Sequence, residues 1–334
     1  MALMLKGPAA PRGRMNWPWL AVALMVASAP AAAQTAAQTW PSRPITVVVA
    51  FPAGGYADSF ARIVGDRLSA RFGKNVVIEN RGGAGGNIGA GSVAHAAADG
   101  YTLLVTTTSV AVNETYYKGK DFTAADLRVI AIPAGAPETL SVAPSDPNKT
   151  LAALVEAGRK KPFDYASPGV GTSSHVAAAY FFKMLAKIEP VQVPFQGGAP
   201  AVNAVLGGHV EVLVGTLPGF AGQLASGALR GLAVASEARV PGFENIPTYG
   251  EGGYPGFVAE TWVGVFAPAK VDDAIAQKLN AVINEIIHEP ATEAKLKTFS
   301  MQTRVRDLPQ TEAYFRSEIA KWGKMVEAIG LVAK

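Results

Sequence analysis

The chain has 334 residues, of which 49% are hydrophobic and only 17% charged, a composition that suits one or two globular domains with substantial cores and excludes a disordered chain. Thirty Lys and Arg face 26 Asp and Glu, but Lys6, Arg12 and Arg14 lie in a segment read below as a leader, and without those three the balance is 27 to 26. A nucleic-acid partner thereby loses its electrostatic support. The absence of cysteine excludes disulfides, thiolate metal sites, iron–sulfur clusters and cysteine nucleophiles.

Residues 1–33 read as a secretory signal peptide. Lys6, Arg12 and Arg14 form the positive region, Trp17 to Val26 the apolar stretch, and Ala31-Ala32-Ala33 a small-residue cleavage site before Gln34. The apolar run is well short of the roughly 20 residues that span a bilayer. No cysteine follows it for a lipid anchor, and Arg12-Gly13-Arg14 is not a consecutive arginine pair, which favours the general secretory route. In a Gram-negative source the mature chain is expected in the periplasm, soluble.

After the leader, β-branched runs alternate with amphipathic helical patterns. Ile45 to Val49 predicts a buried strand, Tyr56 to Phe72 a helix, Val76 to Ile78 a strand, Gly86 to Ala98 a helix of small residues and Tyr101 to Thr107 a third strand. That order implies an α/β fold with a parallel sheet covered by helices. A second series follows. Strands are predicted at Leu140 to Val142, Phe163 to Ala166, Val191 to Phe195, Val210 to Val214 and Leu229 to Ala235, with helices at Leu151 to Lys160, Ser174 to Ala186 and Ala199 to Leu206. Asp272 to Ile287 and Leu308 to Ile329 read as the closing helices, the second opened by an Asp/Pro start signal. The pattern predicts two lobes, 34–138 with 250–334 and 139–249, the chain crossing near 136–140 and returning near 245–255. No repeat or heptad is visible, and a monomer is the default expectation.

Four glycine-rich segments stand at predicted strand-to-helix turns: Phe51 to Asp58, Asn80 to Ala90, Ala166 to His175 and Pro194 to Pro200. Such turns let backbone approach a ligand, and the helix that follows offers unpaired N–H groups with partial positive charge. The second is a poor nucleotide cradle: GxxxxGK[ST] is absent, Ile88 breaks GxGxxG where the last glycine is needed, and Gly89 to Ala94 fits only the looser GxGxxA, inside a helical pattern. It reads as a glycine-rich helix packed closely on the sheet. In the third, adjacent Ser174 and His175 are a poor nucleophile–base pair and no GxSxG occurs anywhere, so His175 is left as a ligand donor or as a residue that fixes its loop. Four scattered histidines without HExxH give no metal site, and no cofactor motif is present.

The turns come as two sets, one per lobe, which places helix starts around a shared cleft. Apart from Arg81 they contain no Arg or Lys, so the cleft suits a small carboxylate held by backbone N–H groups and hydroxyls. It looks built to bind rather than react. On that reading Gly55→Val and Gly171→Val each weaken binding by obstructing the carboxylate.

The run Pro41-Ser42-Arg43-Pro44-Ile45 to Phe51-Pro52-Ala53-Gly54-Gly55 resembles the start of the Bug/TctC family, extracytoplasmic solute-binding proteins of tripartite tricarboxylate transport systems. Asn80 to Ala90, Asp99 to Leu104, Ser167-Pro168-Gly169 with Gly171 and His175, Pro194 to Pro200, Ile246-Pro247-Thr248, Glu251-Gly252-Gly253 and Trp262-Val263-Gly264 with Ala267-Pro268 continue the match. The resemblance implies a two-lobed type II periplasmic binding protein that closes on a di- or tricarboxylate or an aromatic carboxylate, without catalytic residues, metal or cofactor. Its partners are then membrane transporter subunits or a sensor domain. Carried over, the ligand residues are Ala53, Gly54, Gly55, Tyr56 and Asp58, Thr107 and Ser109, Gly169, Gly171, Thr172, Ser173 and His175, and Gln196 and Gly197. A secreted hydrolase or transferase using Ser173 or Ser174 with His175 is the reading of a different class. Three features depart from the family pattern: Gly82 where proline is common, an altered segment 110–121 whose Lys118 and Lys120 read as solvated surface charges before cleft-mouth ones, and Tyr56 at an often small position. Tyr56 is left between stacking on an aromatic ligand and covering the hinge.

Overall fold

The computed structural model describes residues 40–331, together with Gly7 and Ala9. The expected leader therefore lies almost wholly outside the described residues.

The β-branched run of β1 (Ile45–Val49) feeds α1 (Tyr56–Phe72), which buries Phe60, Ile63, Val64 and Leu68. Then come β2 (Val76–Asn80), α2 (Asn87–Ala94), β3 (Thr102–Thr107) and α3 (Ser109–Tyr116). β1 pairs in parallel with both β2 and β3, the arrangement the alternation of elements predicts. A side-chain carbon on Gly89 of α2 would lie 2.8 Å from the Ala50 Cα and from the Arg81 carbonyl oxygen. The helix thus rests on the sheet edge closely enough to need glycine there.

The strand β4 (Leu127–Val142) is far longer than the Leu140 to Val142 expected. Pro133, Gly135 and Pro137 read as strand breakers, yet the register shift between Ala131 and Ala134 spans Pro133, and Gly135 and Pro137 pair in register with Trp262 and Glu260 of the strand at 260–268. Beyond it lie α4 (Leu151–Lys160), β5 (Asp164–Ser167), α5 (Ser173–Tyr180) with a wider π-type continuation to Ala186, β6 (Val191–Pro194) and α6 (Gly198–Leu206). β7 (Val212–Thr216), α7 (Ala221–Ala225), β8 (Arg230–Val234) and β9 (Glu260–Pro268) follow; β9 has no counterpart in the expectation. The chain closes with α8 (Asp273–His288), α9 (Pro290–Thr298), β10 (Gln302–Thr303) and α10 (Leu308–Ile329).

Strand order is β2-β1-β3-β9-β4-β7-β5-β6, with β8 and β10 also on β4. Up to Pro137, β4 runs antiparallel to β9, which itself pairs with β3. From Glu138 onward β4 pairs instead with β7 and β8, while β5 runs parallel to β6 and β7. The two strand sets therefore meet at Glu138. There the Glu138 N–H donates to the Ala259 carbonyl, that of Ala259 to Ala235, and that of Ala235 back to Glu138. Each parallel set thus carries antiparallel strands that local pattern does not announce.

Two aromatic clusters fill the interior. Trp262, Phe266 and Phe315 pack between β9 and α10, where Glu318 accepts from the indole N–H of both Trp262 and Trp322 at 3.0 Å. Phe181 meets Tyr249, Tyr254 and Phe257 beneath α5.

Candidate ligand site

The turn between β1 and α1 is fixed from within. Asp58 is buried, and its carboxylate accepts from the Gly54 N–H, from Arg62 Nε and from Asn80 Nδ2, each at 2.9 Å. Burial works against the charge, but Arg62, the Gly54 N–H and the Asn80 amide outweigh it and hold the Asp58 carboxyl below its ordinary range. Gly55 is the residue at the helix start and offers no side-chain cap, so the first N–H groups of α1 are open to an anion.

On the facing side, Thr172 caps α5 by accepting the His175 N–H at 3.3 Å and donating to the Gly169 carbonyl at 2.8 Å. His175 is buried with its Nδ1 accepting the Gly171 N–H at 3.3 Å. Burial lowers its pKa to about 4, and the ring is neutral. Gly197, in front of α6, again has no side-chain cap.

Between these turns lies a cavity of about 170 Å³. Ala53, Gly54, Gly55 and Tyr56 form one wall, with Thr107 and Ser109 beside them; Thr172, Ser173, Gln196 and Gly197 form the other. Four expected ligand residues do not line it. Asp58 lies beneath its turn, Gly169 borders an adjoining cavity with Tyr117, and Gly171 and His175 brace the loop ahead of α5. Phe51, Pro52, Leu213, Val214 and Phe220 make much of the remaining wall apolar. Among the described residues no Lys, Arg, His, Asp or Glu lines this cavity, and no group of His, Cys, Asp or Glu could hold a metal ion.

Residues that the sequence did not single out complete the site. The β7 segment Leu213 to Thr216 supplies its floor, and Thr261 of β9 reaches in from the other strand set. The Tyr56 hydroxyl donates to the Thr261 carbonyl at 3.4 Å, so this ring both lines the cavity and ties α1 to β9. Ser173 Oγ lies 2.6 Å from Thr261 Oγ1, which donates to the buried carboxyl of Glu138. Neither Ser173 nor Ser174 is hydrogen-bonded to His175, so no nucleophile–base pair is assembled there. Lys120 is not a solvated charge: it folds back onto Glu114 and the Phe122 carbonyl, while Lys118 is exposed.

Gly171 and Gly55 separate two ways of damaging the site. Gly171 has φ +75°, and a side chain there would run into Tyr117 and Asn113 instead of the cavity. Gly171→Val is expected to lower both unfolding temperature and ligand affinity. At Gly55, φ is −85° and an added carbon meets nothing nearer than the Pro52 oxygen at 3.5 Å. Gly55→Val should therefore lose affinity with the fold intact, and a calorimetric titration beside a melting curve checks both.

Two linked sets of strands with a cleft between helix starts define a two-lobed solute-binding receptor. The sequence model of the tripartite tricarboxylate transporter family receptor matches residues 60–331, and the chain belongs to that family. It is 34% identical over 321 residues to protein BugT of Bordetella pertussis, covering 94% of this chain and 97% of that one. The structure of Rpa4515 of R. palustris with adipate superimposes with a TM-score of 0.83 at 31% identity, over 87% of this chain and 98% of that chain. MatC of Rhodopseudomonas palustris with bound malate gives a TM-score of 0.81 at 28% identity, over 86% and 100%. The family is one of receptors and not of enzymes. Among the described residues no helix is long and apolar enough to cross a membrane.

Proposed function

We propose that this chain is an exported periplasmic receptor that captures a small carboxylate in the cavity between Gly55 and Gly197 and presents it to membrane transporter subunits. The observation that carries the reading is the pair of helix starts without side-chain caps, α1 at Gly55 and α6 at Gly197, on a cavity lined by hydroxyls and no charged side chain. A helix start carries about half a positive charge in its unsatisfied N–H groups, and a carboxylate satisfies them without burying a lysine or arginine. The apolar remainder of the wall favours a ligand with a hydrocarbon body, in keeping with adipate in one structural relative and malate in another. We place the lobes at 34–138 with 250–334 and at 139–249, because β4 changes partners at Glu138. Closure of one on the other then traps the ligand.

Thermal unfolding of the chain from Gln34 against malate, adipate, citrate and nicotinate, each beside its amide, tests this. A ligand at about 100 times its Kd adds roughly 2.7 kcal/mol, a shift of several degrees. Stabilisation by a carboxylate and not by its amide is expected. An equal response to acid and amide, or none to any acid from protein freed of bound solute by denaturation and refolding, overturns the proposal.

A further inference from the structure

The hydroxyl pair in the cavity wall ends on an acid that the receptor reading leaves unused. Glu138 is 5% exposed and sits where β4 passes from one strand set to the other. Its Oε1 takes the Thr261 hydroxyl, the Ser173 and Ser174 hydroxyls stand close to the carboxyl, and its buried Oε2 is left without a well-formed hydrogen bond among the described residues. Thr261 and Ser173 both line the cavity and lie 2.6 Å apart through their hydroxyl oxygens.

A hydroxyl has one proton to give, so this chain has a direction. With Glu138 ionised, its Oε1 only accepts. Thr261 must then donate to Glu138 and Ser173 to Thr261, which leaves a Ser173 lone pair facing the cavity. That is repulsive to a carboxylate. With Glu138 protonated on Oε1, the acid can donate to Thr261, Thr261 to Ser173, and Ser173 into the cavity, an order the ionised acid forbids. We propose, resting on the carboxylate reading above, that the ligand carboxylate is bound together with one proton taken from solvent onto Glu138. Glu138 is thus a positioning residue that acts through Thr261 and Ser173 and sets the polarity of the site.

The surroundings fit. Burial raises the Glu138 pKa, and the hydroxyls of Thr261, Ser174 and Ser173 only partly oppose it. The titratable groups on neighbouring elements do not supply a compensating cation. Tyr56 of α1 and Tyr249 have their pKa values raised by burial and remain neutral phenols. His175 of α5 is neutral, and Glu260 of β9 turns to Arg304, 2.6 Å away. Glu318 of α10 takes the two indoles. β7 has no charged residue, and Arg230 of β8 donates to the carbonyls of Pro144 and Asp146.

The test is the affinity of wild type, Glu138→Gln and Glu260→Gln for whichever of malate, adipate, citrate and nicotinate stabilises the protein most, from about pH 5 to pH 9, upwards from the ordinary carboxylate range in the direction burial moves Glu138. One linked proton makes the wild-type Kd rise about tenfold per pH unit above the Glu138 pKa. Glu138→Gln, which does not titrate and whose amide N–H can take the acid's place as donor to Thr261, should bind with a flat profile, and Glu260→Gln should keep the slope. Calorimetry in buffers of different ionisation enthalpy should show proton uptake in wild type that Glu138→Gln lacks. Thr261→Val, which cuts the chain and retains its acid, should bind more weakly with the slope gone; it keeps the test open if the glutamine variant fails to fold. Tight binding with a flat wild-type profile, or a slope that survives in Glu138→Gln, overturns the proton linkage and leaves the receptor reading intact. No binding of any of the four acids overturns both.

Discussion

Trp262→Ala is expected to lower stability by about 3–5 kcal/mol, the range for deleting a buried aromatic side chain, and the unfolding temperature by on the order of 10 °C for a chain of this size. The ring is fully buried between β9 and α10, edge-on to Phe315 and beside Phe266. Its indole is one of the two donors that Glu318 Oε2 accepts, and truncation leaves that oxygen with Trp322 alone while Lys321 stays 3.5 Å from Oε1. The backbone of Trp262 also pairs with Thr108: its N–H reaches Thr108 Oγ1 at 2.8 Å and its carbonyl takes the Thr108 N–H at 3.1 Å. Thr107, Ser109 and Thr261, all in the cavity wall, flank this pair. Affinity should therefore fall beside stability in the alanine variant. Trp262→Phe keeps most of the volume and loses the hydrogen bond, for a cost nearer 1–3 kcal/mol. Denaturant unfolding of the three proteins checks the order, and equal midpoints for wild type and Trp262→Ala would remove β9 and α10 from the cooperative core.

The contrast between α10 and β4 shows what the sequence carries openly. α10 declares both its ends: Asp307 caps it in a reciprocal box with Gln310, Pro309 sits in its first turn, and Gly330 closes it in the left-handed conformation. Each signal is local, and the observed bounds are those expected. β4 declares nothing. Its prolines and glycine are strand breakers by local chemistry, and only pairing with β9, more than a hundred residues away in sequence, makes the strand. The glycine turns around the cavity were legible for the reason α10 was, since each is a short run beside an apolar pattern. Its floor was not, because Leu213 to Thr216 is an ordinary buried strand until tertiary packing turns it towards a ligand. Glu138 is a single acid in an apolar run, and nothing in its neighbours marks it as buried. Of the two readings left for His175, the Gly171 N–H on its Nδ1 supports the one in which it fixes its loop.

Asp58→Ala should bind carboxylates at least about tenfold more weakly, although Asp58 does not line the cavity. The variant removes a charged acceptor from the Gly54 N–H and from the Asn80 amide, which keeps the Phe51 carbonyl, for a loss of about 1–3 kcal/mol in stability. The turn that presents the first N–H groups of α1 is then no longer held, and losing one good hydrogen bond to the ligand is worth about tenfold in Kd. Arg62 is exposed and returns to water, so its charge adds little to the penalty. The pH dependence separates this role from simple packing. The folded carboxyl titrates below its ordinary value, opposed by burial and held down by Arg62, Gly54 and Asn80. Its contribution is therefore complete above the unfolded value of about 3.9 and is lost as pH falls through the folded one. The stability gap between wild type and Asp58→Ala should be widest near neutrality and close progressively below about pH 4. Asp58→Asn, which accepts through one oxygen only, should fall between the two at pH 7. A gap that stays constant down to pH 2 would mean that Asp58 works through its shape instead of its charge, and the first turn of α1 would then have to be held by Asn80 and Phe51 alone.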